Sequence, residues 1–199
     1  MTSEATTGTG VPWSVALPGP RAGDAATAVA AGPALDPAPG GPWSGPADER
    51  LRVLLVGSSG GHLAQLAALA PWTDGHDRHW VCFDTPDAVS VLAGESVDWA
   101  YHPTTRSLRN LARNLGLAWR VLRRERPDVV LSTGAGVALP FFVLARLHGV
   151  PTVFLEVYDR LDTPTLTGRL VRPFASRMLV QWDEQAHLYK GAEVVGCVL

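Results

Sequence analysis

The sequence predicts an α/β fold, a doubly wound and mainly parallel sheet, and three observations carry that prediction. From residue 51 onward, short β-branched or Leu-rich runs alternate with amphipathic stretches, the pattern left by repeated strand–helix–strand units. Glycine and proline breaks such as Gly149-Val150-Pro151 separate the runs, ending one element before the next begins. The chain has 199 residues and is 46% hydrophobic, enough for one domain of ordinary size around a sizeable core.

The elements follow in order. Leu51-Arg52-Val53-Leu54-Leu55-Val56 reads as a first strand, Gly57-Ser58-Ser59-Gly60-Gly61-His62 as a turn, and the stretch through Leu69 as a helix. Residues 78–83 form a second strand, 86–93 a short helix and 97–101 a third strand. The most strongly periodic helix covers 107–124 and is stopped by Pro127. Then come strand 128–132, a Gly134-Ala135-Gly136 turn, helix 137–147 and strand 152–156. A loop over 157–165 leads to a short helix near 168–174, strand 177–180, helix 184–189 and a last strand at 193–195. Six or seven strands with intervening helices make a Rossmann-like domain over residues 50–199.

The first 49 residues are a different material. They hold 8 Gly, 8 Pro and 11 Ala, with one Arg against five acidic residues, and show no periodicity, so they offer little apolar area to offset the entropy of ordering. The expectation for 1–49 is a disordered tail. It has no basic segment followed by an apolar one, so no signal peptide is expected. The longest uncharged window, 129–145, is shorter than the roughly 20 residues of a membrane span and is interrupted by glycine and proline. Cys82 and Cys197 stand far apart without metal-ligand neighbours; neither a zinc site nor a disulfide framework is expected, and a reducing cytoplasm fits best.

In an open parallel sheet, ligands bind beyond the carboxyl ends of the strands. The loop of Gly57, Ser58, Ser59, Gly60, Gly61 and His62 enters a helix there, and its glycines let backbone N–H groups approach an anion such as a diphosphate. The bland alternative is a tight turn without a ligand. His62 either bonds a phosphate, acts as a base or caps the helix. Thr133 and Gly134 repeat the strand, glycine turn, helix arrangement. Glu156 stands where its strand should end and is the carboxylate best placed to face the crevice; Asp159, Arg160 and Asp162 follow in the loop, where Asp159 and Asp162 serve either catalysis or turn capping. Asp84 ends the second strand, but Gly57-x-x-Gly60-Gly61 lacks the G-x-G-x-x-G spacing of a dinucleotide site.

On the long helix, Leu108, Leu111, Leu115, Ala118 and Leu122 form one stripe, expected to be core, and Arg109, Arg113, Arg120 and Arg124 an opposite one, with Leu117 on the basic side. Seven arginines against one glutamate lie between Arg106 and Arg126. They form either a solvated face or a contact to an anionic membrane or a lipid-linked phosphate. Nucleic acid is not expected as a partner, because the net charge is −2 and no aromatic platform accompanies the basic residues.

Six ordered motifs carry a resemblance. Gly57-Ser58-Ser59-Gly60-Gly61-His62-Leu63, Arg106-Ser107-Leu108-Arg109-Asn110-Leu111, Pro127-Asp128-Val129-Val130-Leu131-Ser132-Thr133-Gly134-Ala135, Leu155-Glu156-Val157-Tyr158-Asp159-Arg160, Pro164-Thr165-Leu166-Thr167-Gly168-Arg169-Leu170 and Val180-Gln181-Trp182-Asp183-Glu184-Gln185 together resemble the acceptor-side subunit of split GT-B glycosyltransferases. Its bacterial members are PssD and CpsF type polysaccharide proteins; a eukaryotic relative is the membrane subunit of the UDP-N-acetylglucosamine transferase that forms dolichol-linked chitobiose. More distantly, the sequence is similar to the N-terminal half of MurG-type enzymes. The resemblance covers 51–199.

The resemblance implies the N-terminal Rossmann-like half of a GT-B enzyme, with the donor site on a separate small subunit of the PssE type. Val195, Gly196, Val198 and Leu199 would help dock that partner, although Cys197 stands where the family has Pro. The implied reaction is inverting transfer of a sugar from a UDP-sugar to a polyprenyl-diphosphate-linked acceptor at the cytoplasmic face of the membrane, with peripheral attachment. Glu156, His62 or Asp159 would take the acceptor's proton, Gly57 to Gly61, Thr133, Gly134 and Arg160 would hold phosphate, and Arg106, Arg109, Arg113 and Arg120 would face lipid. No metal and no cofactor is expected, since helix N-termini and basic groups can stabilise a leaving diphosphate. Two rivals remain: a non-catalytic subunit that recruits a catalytic partner to the membrane, and a nucleotide-binding enzyme.

Overall fold

The computed structural model describes residues 50–198 apart from residue 105; the expectations for 1–49 and the docking role of Leu199 fall outside the described residues. The observed class is the expected one, a parallel sheet with helices on both faces. Seven strands, β1 (Arg52–Val56), β2 (Asp77–Phe83), β3 (Val97–Ala100), β4 (Val129–Ser132), β5 (Thr152–Leu155), β6 (Arg177–Val180) and β7 (Glu193–Val194), lie in the order β3-β2-β1-β4-β5-β6-β7. Every pairing is parallel, and β1 aligns Val56 with Ser132 of β4. The chain order reverses between β1 and β4, which makes their carboxyl ends the switch point of the sheet.

The sequence explains why β1 is central. Four consecutive residues, Val53 to Val56, are buried, as a strand covered on both faces requires. Leu54 and Val56 join one core layer with Val121, Phe141, Phe142 and Phe154. Val53 and Leu55 join the other with Leu63, Leu66, Trp80 and Cys82. Helices α1 (Gly61–Ala67), α2 (Ala70–Thr73), α3 (Pro86–Val91), α4 (Leu108–Glu125), α5 (Ala138–Leu147) and α6 (Leu166–Val171) supply the connections. Helix α2, a single turn with Pro71 at its start, was not expected. The expected helix at 184–189 is instead a 3₁₀ stretch, Asp183–Leu188, in which the Gln185 N–H reaches back to Trp182 O; its side chains are committed elsewhere, as described below.

Helix α4 corrects the assignment of its faces. Ser107 caps it by accepting from the Asn110 N–H, and Arg126 closes it in a left-handed conformation. Asn114, Leu117, Ala118, Val121 and Leu122 are its buried residues. Asn114 clamps the helix to the end of β3, donating to Tyr101 O and accepting from Tyr101 N–H at 2.9 Å each. Leu117, expected on the basic side, is core, whereas Leu108 (82% exposed), Leu111 and Leu115 are in solvent. The reason is rotation: at about 100° per residue, the buried Asn114, Leu117, Ala118 and Val121 centre on a face turned roughly a quarter-turn from Leu108, Leu111, Leu115 and Trp119, which stay exposed beside them.

Candidate functional site

The two glycine turns meet at the switch point. The β1–α1 turn brings His62 onto the β4–α5 turn, where its Nδ1 lies 2.9 Å from Thr133 O. A carbonyl only accepts, so Nδ1 carries the hydrogen and, in the neutral ring, Nε2 is left with its lone pair. Thr133 Oγ1 returns the contact by donating to His62 O at 2.8 Å. Gly134, at φ +130°, makes the approach possible: a Cβ there would stand 2.7 Å from His62 Cε1. The Gly134 N–H donates to the buried Ser132 Oγ at 3.0 Å, fixing the turn. Burial holds the imidazole's pKa below its ordinary value, against the opposing pull of the Thr133 carbonyl and the charges of Glu156 and Asp159.

Not every expected phosphate contact is free to make one. Gly57 N–H donates to Val81 O, Gly60 N–H donates to Asp87 Oδ2 at 2.9 Å, and Gly134 N–H is spent on Ser132. Among the described residues, the N–H groups of Ser58, Ser59 and Gly61 have no such partner, and they are the loop's remaining anion donors. Thr133, expected to bind phosphate, is buried and positions His62 instead. Asp87, which shapes the loop, escaped sequence reasoning; its place three residues after Asp84, on the first turn of α3, was the available signal.

Glu156 is the principal correction. Expected to face the crevice as a base, it is fully buried. Its Oε1 accepts from the Val157 N–H at 3.0 Å, and its Oε2 from the Thr165 N–H and Oγ1 at 3.2 Å each and from the Tyr189 hydroxyl. Four donors enclose it, so it organises the loop after β5 rather than meeting a substrate. Tyr189, pushed far above its ordinary pKa by burial and by Glu156, stays protonated as the donor. Gly168 completes the cluster, since a Cβ there would collide with the Tyr189 hydroxyl and come within 2.8 Å of Glu156 Oε2. Asp159 and Arg160 are exposed at the loop's tip.

The remaining predicted residues lie apart from this crevice. Arg109, Arg113 and Arg120 are exposed along α4 and Arg106 just ahead of its cap, with Arg113 stacked over Tyr101 at 5.0 Å. Val195, Gly196 and Val198 follow β7 at the sheet's edge, where Val195 N–H donates to Val180 O and Val198 N–H to Gln181 Oε1. A cavity lined by Arg52, Asp77, His79, Glu125 and Pro127 sits at the opposite, amino end of the strands. No group of three metal-ligating side chains occurs among the described residues.

Residues 99–198, half of the chain, match the family described as oligosaccharide biosynthesis protein Alg14 like. The chain belongs to this Alg14-like family. Its sequence is 36% identical over 77 residues to the UDP-N-acetylglucosamine transferase subunit alg14 of Schizosaccharomyces pombe, covering 36% of this chain and 37% of that protein. It is 25% identical over 183 residues to the mouse subunit ALG14, covering 76% and 84%. It is also 32% identical over 165 residues to the UDP-N-acetylglucosamine--N-acetylmuramyl-(pentapeptide) pyrophosphoryl-undecaprenol N-acetylglucosamine transferase of Tolumonas auensis, covering 74% of this chain but 44% of that enzyme. The chain thus spans less than half the length of that enzyme. In fold, the Alg14-like chain matches Acinetobacter baumannii MurG with a TM-score of 0.60 at 19% identity, over 73% of this chain and 45% of MurG. The UDP-GlcNAc 2-epimerase of Neisseria meningitidis matches at 0.59 and 16%, over 74% and 47%.

Proposed function

We propose that this Alg14-like chain is the acceptor-side subunit of a two-component glycosyltransferase of the bacterial PssD and CpsF type, in oligosaccharide or exopolysaccharide biosynthesis. A small donor-binding partner of the PssE type would present a UDP-sugar, and the acceptor would be a polyprenyl diphosphate or a saccharide built on one. One observation carries the reading: His62 is held on Gly134 with Nδ1–H committed to Thr133 O, so its Nε2 lone pair is free at the switch point. The relatives' names, which specify UDP-N-acetylglucosamine transfer, support the reaction class.

In the step this implies, the acceptor hydroxyl oxygen forms a bond to the sugar's anomeric carbon while the bond from that carbon to the UDP oxygen breaks, inverting the centre. The hydroxyl proton passes to His62 Nε2, and the bonding pair leaves with UDP. The imidazolium so formed shares its Nδ1–H with Thr133 O and is favoured by the charges of Glu156 and Asp159. Ser58, Ser59 and Gly61 N–H groups and Arg160 hold the acceptor's diphosphate in this reading.

Attachment to the membrane is assigned to the exposed apolar face of α4. Leu108, Leu111, Leu115 and Trp119 are exposed at helical spacing, with Arg109, Arg113, Arg120 and Arg123 exposed beside them. Trp119 meets His148 edge-on, 5.1 Å between centroids, and Leu147 beside it is 75% exposed. An apolar strip with a cationic border suits the headgroup region of an anionic bilayer. No helix among the described residues is long and apolar enough to cross a membrane.

The test is co-expression with a small donor-binding candidate, followed by a sugar-transfer assay on a lipid diphosphate. Co-elution with activity from the pair alone is the expected result; activity of the isolated chain, or none from a stable pair, overturns it. Retained transfer in a pair carrying His62→Ala would instead favour the second reading, a recruiting subunit, for which the α4 face is the supporting observation.

A further inference from the structure

The motif Gln181-Trp182-Asp183-Glu184-Gln185 is not used in the chemistry above, yet its side chains grip the loop that carries Asp159 and Arg160. Gln181 Nε2 donates to Glu156 O at 3.0 Å. Gln185 Nε2 donates to Val157 O at 2.8 Å and to Arg160 O at 2.9 Å. Trp182 Nε1 donates to Tyr158 O at 3.0 Å. Carbonyls 156, 157, 158 and 160 are thus all bound by side chains of one five-residue segment. Gln181 and Gln185 are themselves buried and mutually locked, with Gln181 N–H donating to Gln185 Oε1 at 2.8 Å. The remaining acceptor, Gln181 Oε1, takes the Val198 N–H at 3.1 Å.

We propose that Gln181, Trp182 and Gln185 are positioning residues that set the register of the 156–160 loop against His62, and that Gln181 links this register to the C-terminal segment through the Val198 N–H. Two physical points support the assignment. Within the loop, the backbone supplies only a long Arg160 N–H to Val157 O bond of 3.4 Å, so beyond the Glu156 carboxylate, which takes the Val157 N–H, its shape rests on these side-chain donors. A primary amide also fixes both of its ends at once: if Val198 leaves, the acceptor end of Gln181 is orphaned in a buried site, and the amide gains by rotating or drawing in water, which loosens the donor end from Glu156 O. The coupling is reciprocal, so whatever orders residues 195–198 also orders the loop. The link rests on the proposed chemistry only for the purpose of the loop, not for its existence.

Hydrogen exchange on the full chain, without partner or substrate, therefore tests it apart from any assay of transfer. Trp182→Phe removes one N–H from a ring already 37% exposed and leaves its packing largely intact. Val198→Pro removes one backbone N–H, with Val198→Ala as the control that keeps it. Each of the first two variants should raise exchange across peptides covering 157–165 by about three- to tenfold, the size of one lost hydrogen bond, with the unfolding midpoint and the exchange of β1 and β4 unchanged. Val198→Ala should leave the loop as it is. Unchanged loop exchange in Trp182→Phe overturns the positioning role, and unchanged loop exchange in Val198→Pro overturns the link. A rise spread evenly over the whole sheet in either variant overturns the proposal in favour of a general packing role.

Discussion

The crevice at the ends of β1, β4 and β5 and the outer face of α4 are built on opposite plans. In the crevice many polar groups are already engaged inside the chain: His62 with Thr133, Gly60 with Asp87, Glu156 with Thr165 and Tyr189, and the loop carbonyls with Gln181, Trp182 and Gln185. On α4, large apolar side chains stand in solvent beside arginines. The first plan gives a geometry settled before any ligand arrives, with His62 Nε2 and the Ser58, Ser59 and Gly61 N–H groups left to meet one. The second leaves free energy to be released only when another phase covers the face. Substitutions should therefore divide cleanly, those in the crevice altering chemistry or folding and those on α4 altering chiefly lipid binding.

The sharpest way to break that division is His62→Ala. It should lower transfer by the reconstituted pair by about 10²- to 10⁴-fold, with vesicle binding unchanged and a thermal midpoint near that of the parent; wild-type turnover would remove the base assignment. Next in size, Glu156→Ala orphans four donors in a buried site and should cost about 3 kcal/mol or more in urea unfolding. A cost under about 1 kcal/mol would show that the Tyr189 and Thr165 contacts are not the loop's anchor. Gly134→Ala forces a Cβ against the imidazole at a backbone angle that disfavours L residues. A loss of about 2 kcal/mol, together with most of the activity, is expected, and calorimetry with the same assay checks both.

On the other region, Leu111→Asp combined with Trp119→Ala should weaken sedimentation with anionic vesicles at least tenfold, since burying one such side chain contributes about 1.5 kcal/mol or more. The folded state should lose only about 1 kcal/mol, because both residues are partly exposed and Trp119 gives up its ring contacts to His148 and Arg123. Equal binding by parent and variant would return the stripe to the role of an ordinary solvated surface.

The smallest expected effect is pH-dependent. Burial lowers the His62 pKa in the folded chain below its ordinary 6.5. As pH falls below about 6.5, the unfolded chain takes up the proton first, so the stability present above that value is progressively lost until the folded-state pKa is passed. His62→Gln should flatten this limb of an unfolding titration, and the acid limb of kcat/KM in the parent should lie below 6.5. An acid limb above it would contradict the neutral, desolvated imidazole.

Some of this was legible in the residues. Val53 to Val56 buried on both faces, the Pro127 stop of α4 and the Gly57 and Gly134 turns are local signals, and they sufficed for the class of fold and for locating the two turns, whereas the β1–β4 pairing that brings the turns together came from the sheet order. Glu156 shows where such reading fails. A carboxylate at the end of a strand predicts exposure to the crevice, but its donors come from Thr165, nine residues on, and Tyr189, 33 residues on, and no spacing rule announces that convergence. Asp87 at Gly60 is a similar case, 27 residues distant.

The sequence by itself determined the alternation of strands and helices, the sheet's two-faced core and the position of the glycine turns, because hydrophobic periodicity and the backbone freedom of glycine and proline act over a few residues. Tertiary structure alone decided which half of the α4 stripe is core, which glycine N–H groups are spent, and that His62 rather than Glu156 holds the free site in the crevice. Burial and hydrogen-bond partnership depend on what the fold brings alongside. The stripe on α4 has one sequence pattern from end to end, yet only its Ala118 and Leu122 are core, because the face that the fold presses inward carries Asn114, Leu117 and Val121.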